Sequence, residues 1–201
     1  MTNPRTAVVA LVLALVAGFL LAATAPTYAE SSTQTDPAGD PLRTTYGRNG
    51  SIAEEAAPGS ARLDLVSTTF DYRRRALVVR GTTVALGRGV RATLQVKAGG
   101  RTYLIVGQGE GRLGGFVVTP DDVEEFSCRG ASSSVDEDRS AYRVRVPARC
   151  LGAPERLRAG LTLSTYRTEG RRLVGTSDDA RRVGGSSSDR SPRLGAALTR
   201  G

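Results

Sequence analysis

Apolar residues recur at every second position in several short stretches of this chain, and no stretch sustains a helical period. Val90, Ala92, Leu94 and Val96 alternate with polar neighbours, which places all four on one face of a strand. Ala98-Gly99-Gly100 then supplies turn residues, and Arg101 to Val106 returns as the second arm of a hairpin. Tyr142, Val144 and Val146 alternate with Arg143 and Arg145, and Leu157, Ala159, Leu161 and Leu163 alternate again. Between Leu63 and Tyr72 the phase slips. Leu63 and Leu65 are apolar at odd positions, Val66, Phe70 and Tyr72 at even ones, and a β-bulge would reconcile them. Ala76 to Val79 and Phe116 to Val118 are continuous apolar runs that fit interior strands. The pattern predicts an all-β fold, an antiparallel β-sandwich of about seven to nine strands, jelly-roll or immunoglobulin-like, with a barrel as the alternative.

The ends of the chain read differently. Arg5 is followed by an unbroken apolar run from Ala7 to Ala23, and Thr27-Tyr28-Ala29 offers small residues to a signal peptidase. Residues 1–29 are therefore expected to be a signal peptide cut before Glu30, and the protein to be secreted. An uncleaved anchor is the alternative. Residues 30–60, rich in Ser, Thr, Pro, Gly and Ala, predict an extended lead-in. Residues 61–183 carry the β-sandwich domain, and 184–201 lack the apolar density to offset chain entropy, which predicts a disordered tail.

Composition narrows the chemistry. The 201 residues include no His and no Trp, which excludes Ser-His-Asp and Cys-His catalysis and a His-ligated zinc. Cys128 and Cys150 are the only cysteines, and in an exported chain they are expected to form a structural disulfide. The net charge is +8, and Lys97 is the only lysine. G+C-rich coding accounts for such an Arg skew. The functional reading is attraction to an anionic cell-envelope polymer, with no specific nucleic acid as partner. Arg91, Lys97, Arg101, Arg143 and Arg145 alternate with core positions and are the candidate polyanion-binding residues, whereas Arg73, Arg74 and Arg75 read as a turn.

Gly109 to Gly114 matches a dinucleotide-binding fingerprint in form, but a strand follows where that motif needs a helix. Pro120 to Glu125 is the densest acidic stretch, and it reads as a solvated turn in preference to the paired carboxylates of a hydrolase. Asp36, Asp40, Asp64, Asp178 and Asp179 lie at the two ends of the body, which a sandwich can bring together, and calcium (Ca2+) would suit such a set of hard oxygen ligands. The plain alternative leaves these acids in turns and a solvated loop.

Asp36-Pro37-Ala38-Gly39-Asp40 after the leader, Leu63-Asp64-Leu65, Cys128, and Val146 to Pro154 around Cys150 form an ordered set. This set resembles secreted actinobacterial-type β-sandwich proteins of unknown function, in which a DPxGD start precedes the strands and a late VPxxC segment closes a disulfide. More distantly the start is similar to DOMON and family-9 carbohydrate-binding sandwiches. Those use aromatic platforms or haem ligands, and a chain without Trp or His inherits neither role. The function expected is an exported, non-enzymatic, envelope-associated binding or structural module. A carboxylate-based extracellular hydrolase and an Arg-driven binder of anionic polymer are the alternatives.

Overall fold

The computed structural model describes residues 30–47, 49–60, 63–86, 89–109, 111–181 and 191–201. The expected leader and its cleavage site lie outside the described residues, as do Glu110 of the glycine-rich stretch and residues 184–190 of the expected tail.

Two antiparallel sheets form the molecule, as the alternation predicts. The first has six strands, in the order β1 (Glu30–Thr35), β4 (Leu65–Arg73), β5 (Ala76–Thr83), β12 (Ala141–Pro147), β11 (Ser132–Asp136) and β8 (Gly111–Arg112). The second runs β10 (Val123–Glu125), β9 (Gly114–Val118), β7 (Arg101–Gln108), β6 (Arg91–Ala98), β13 (Arg156–Glu169), β14 (Arg172–Asp179), β2 (Leu42–Tyr46) and β3 (Ile52–Ala56), with β15 (Ala197–Thr199) beside β13. A 3-10 turn at Ala148–Leu151 is the one helical element among the described residues. The chain passes repeatedly from one sheet to the other, so their inner faces close a single core. Phe70, Tyr72, Leu77, Val79 and Tyr142 meet Leu94, Ile105, Leu161 and Leu163 there. The phase slip is real, since the β4–β5 register shifts between Leu65 and Ser67.

Among the described residues fifteen strands replace the seven to nine expected, and the excess comes from places without alternation. Residues 30–60 are not a lead-in outside the body but supply β1, β2 and β3. β1 and β3 are edge strands and β2 lies between β3 and β14; all three are held by main-chain pairing, which a polar side chain on both faces does not oppose. The tail expectation is corrected in the same way. Residues 191–201 dock beside β13, where Leu198 is only 3% exposed, because one inserted leucine and a three-residue ladder suffice at the end of an existing sheet.

Candidate functional site

The DPAGD segment is the crossover from the first sheet to the second. Asp36 follows β1 and donates its main-chain N–H to Val66 O at 3.1 Å. Gly39 has φ +90, a conformation open to glycine, and this turns its N–H onto Asp64 Oδ2 at 2.8 Å. Asp40 then leads through Pro41 into β2. Asp64 stands just ahead of β4, and Asp178 lies on β14 directly opposite Leu163 of the core. Asp178 Oδ2 accepts the N–H of Leu65 at 2.7 Å, so a side chain of the second sheet is fastened to the backbone of the first.

One carboxylate oxygen each from Asp36, Asp40 and Asp178 lies within 4.8 Å of the others, a set that could hold a metal ion. Asp178 is fully buried and Asp64 is 4% exposed. Oδ1 of each has no hydrogen-bond partner. Burial, reinforced by the charges of Asp178, Asp40, Asp179 and Asp64, pushes the Asp36 carboxyl up to about 8. Burial, with Asp40 and Asp64 adding to it, pushes Asp178 up to about 7 against the opposing pull of the Leu65 N–H. Asp179, the fifth acid expected here, faces the other way. It pairs in register with Thr162 and accepts the N–H groups of Arg181 and Arg193, which ties it to the C-terminal segment.

The cationic candidates are divided between opposite outer surfaces. Arg91 and Lys97 lie on β6 in the second sheet. Arg91 stacks 5.2 Å above the Tyr166 ring, and Lys97 stands opposite Arg158. Arg101 pairs with buried Ala98, so its register is that of the core, and it is exposed because it begins its strand. Arg143 and Arg145 lie on β12 in the first sheet. There Arg143 pairs directly with Arg80 of β5, a residue the alternation alone did not single out although it continues the Ala76–Val79 run at an outward position. Neither the Arg80 nor the Arg143 side chain has an ion pair or hydrogen bond among the described residues. Thr69 and Ser134 flank the pair in the same row. In the next row, Ser132 separates Arg145 from exposed Arg112 of β8. The nearby acids are engaged, Asp71 with Arg73 at the β4–β5 turn and Asp136 with Arg139.

The strip runs toward a cleft of about 440 Å³ lined by Arg112, Leu113, Ser127, Cys128, Arg129 and Gly130. Arg145 and Arg149 donate to Gly130 O and Arg129 O at 3.0 and 2.6 Å. The Cys128–Cys150 disulfide, with Cα atoms 5.9 Å apart, anchors this loop to the 3-10 turn. The acidic stretch from Asp121 to Glu125 forms an exposed hairpin turn and strand, with Asp122 Oδ1 occupied by its neighbour's N–H. Among the described residues no helix is long and apolar enough to cross a membrane. No protein-family model, curated protein or solved structure matches the chain.

Proposed function

We propose that the chain is an exported, non-enzymatic module that holds an anionic polymer of the cell envelope on the outer face of its six-stranded sheet. One observation carries this reading: Arg80 and Arg143 stand directly opposite each other, exposed and without a carboxylate partner among the described residues. Like charges directly across a sheet destabilise it, and a bound anion converts that repulsion into charge-assisted hydrogen bonds. Thr69 and Ser134 add hydroxyl groups on either side of the pair, Ser132 adds one between Arg145 and Arg112, and Arg112 prolongs the strip. Planar guanidinium forks suit phosphate and carboxylate oxygens bidentately, so the ligand class is a polymer with regularly spaced phosphodiester or uronate groups. A disulfide fits an oxidising compartment and supports the extracellular placement. Three surface clefts, at Arg112 and Arg129, at Arg156 and Arg158, and at Arg171 and Arg172, are lined by arginine and contain no carboxylate residue. Such linings suit an anionic ligand.

The test is retention on immobilised inorganic polyphosphate as salt is raised. Arg80→Ala with Arg143→Ala is expected to elute at clearly lower salt, with a salt dependence shallower by about 1.5 in log–log slope. Lys97→Ala with Arg101→Ala removes the same charge from the other sheet and is the control. Equal weakening by both pairs would reduce the effect to net charge and overturn the site.

A further inference from the structure

The acids at the seam between the sheets are the strongest feature of the molecule that anion binding leaves unexplained. Four carboxylates gather there from three separate parts of the chain: Asp36 and Asp40 from the β1–β2 crossover, Asp64 ahead of β4, and Asp178 from β14. Clustered acids on a surface need no ion, but here Asp36 and Asp40 are half-buried and the other two lie inside the seam. Asp178 is wholly buried and Asp64 almost so, and each keeps one oxygen inside the seam without a hydrogen-bond donor. An unpaired buried carboxylate oxygen is costly, and the usual remedies are a donor, a cation or a proton. Donors already take the other oxygen of each, Leu65 N–H for Asp178 and Gly39 N–H for Asp64. Those two bonds fix the orientation of the carboxylates, so the remaining oxygens are held in place.

We propose that this seam is a calcium site, in which Asp36, Asp40 and Asp178 bind one Ca2+ that fastens the first crossover to β14, with Asp64 beside them holding the Gly39 turn in place. The donor set is oxygen only, and the chain has no His while both Cys form the disulfide, so zinc and the softer metals have no ligand to prefer here. Calcium takes about six to eight oxygens at irregular angles and accepts backbone carbonyls and water for those the carboxylates do not supply, whereas magnesium demands a near-ideal octahedron. The DPAGD motif then has a physical purpose: its two acids are ligands four residues apart, and Gly39 between them supplies the positive φ that ties the loop to Asp64. This site is independent of the arginine strip.

The experiment uses residues 30–201 with the disulfide intact, stripped with chelator and then dialysed free of it, at pH 7.5. Thermal melts without metal, with CaCl2 and with MgCl2 are compared, and calcium titration calorimetry gives the stoichiometry. The expected results are one ion per chain and a midpoint raised by about 5–10 °C once calcium exceeds its Kd a hundredfold, with a smaller rise for magnesium. Asp36→Asn and Asp178→Asn should each lose most of the calcium response, while their metal-free midpoints equal or exceed that of the unmodified protein, because a repelled carboxylate has gone. Asp36 is only partly buried, so Asp36→Asn carries the test even if Asp178→Asn does not fold. An unmoved midpoint and no binding heat at about 10 mM calcium, well above the weakest affinities of extracellular calcium modules, would mean that the acids share protons instead. A full calcium response retained in Asp36→Asn would place the ion elsewhere. Equal rises with magnesium would overturn the assignment to calcium.

Discussion

Asp178 Oδ2 accepts the main-chain N–H of Leu65 at 2.7 Å, a side chain of one sheet satisfying the backbone of the other at the point where the β4–β5 register slips. The bulge frees that N–H from the ladder, and a buried N–H requires an acceptor. Asp178→Ala is expected to destabilise the metal-free protein by about 1–3 kcal/mol, the cost of an orphaned buried donor. Asp178→Asn keeps an oxygen for Leu65 and should cost less than about 1 kcal/mol. Urea unfolding at pH 5 makes the comparison clean, because Asp178, with its carboxyl near 7, is then neutral in the unmodified protein too. Equal losses from the two variants would show that the bond contributes nothing.

The seam also fixes the direction of a pH dependence. Asp36 and Asp178 titrate near 8 and 7 in the folded state against an ordinary 3.8, so the folded protein holds protons that the unfolded chain has released. Stability from these two groups is present below about pH 4 and is lost as the pH rises through 7 to 8. The charges acting on them are those of Asp40 and Asp64, with Asp179 adding to Asp36 from the opposite face and paired there with Arg181, so among the described residues no cation acts on the pair to reverse the sign. Metal-free melts should therefore fall between pH 5 and pH 8. Saturating calcium should flatten that fall and release protons on binding. A metal-free midpoint that climbed over this range would contradict the burial of the pair.

Much of the sandwich was legible because strands with one face on a core must alternate. Leu94 and Val96, Tyr142 and Val144, and Leu161 and Leu163 occupy the inner face as their spacing requires, and the phase change around Val66 marked the bulge. β1 to β3 and β15 were not legible. β3 is exposed along its whole length and β1 nearly so, and what recruits them is a free sheet edge, which leaves no trace in side-chain pattern. The acids were individually visible, Asp64 most of all because a carboxylate beside a strand is unusual. Their convergence depends on the order of strands β1-β4 and β14-β2, which periodicity does not encode. Asp179 was indistinguishable from Asp178 in sequence, and alternation alone turns the two to opposite faces. Arg80 escaped notice because its partner Arg143 lies 63 residues away and becomes a neighbour only through the β5–β12 pairing.

The disulfide is expected to contribute to both stability and polymer retention. Its loop spans 22 residues, and the chain-entropy model assigns such a closure roughly 3 kcal/mol. Cys128 also anchors the loop whose carbonyls, at Arg129 and Gly130, hold the guanidinium groups of Arg149 and Arg145. Reduction should therefore lower the urea midpoint and, at salt concentrations where the protein stays folded, weaken retention on polyphosphate. Retention that survived reduction unchanged would confine the strip to Arg80 and Arg143.

The C-terminal segment offers the sharpest single-residue test of the fold. Arg193 passes so close to β13 that a Cβ on Gly160 would stand 2.2 Å from Arg193 O, an overlap with backbone that no rotamer relieves. Close approach here lets Gly195 N–H reach Ala159 O and brings Arg193 N–H onto Asp179. It also sets β15 against Arg156–Arg158, with Leu198 inserted into the core and Thr199 N–H donating to the Glu30 carboxylate of β1. Gly160→Ala must push the segment outward or forfeit those bonds, and a cost of about 1–3 kcal/mol is expected from such overpacking. Hydrogen exchange distinguishes this from a general loss of stability. The amides of Leu198, Thr199 and Arg200 should exchange much faster in the variant, while those of β6 and β7 on the far side of β13 keep their protection relative to the global unfolding free energy. Uniform loss across all of these strands, or no loss at all, would show that the segment does not depend on the groove that Gly160 leaves open.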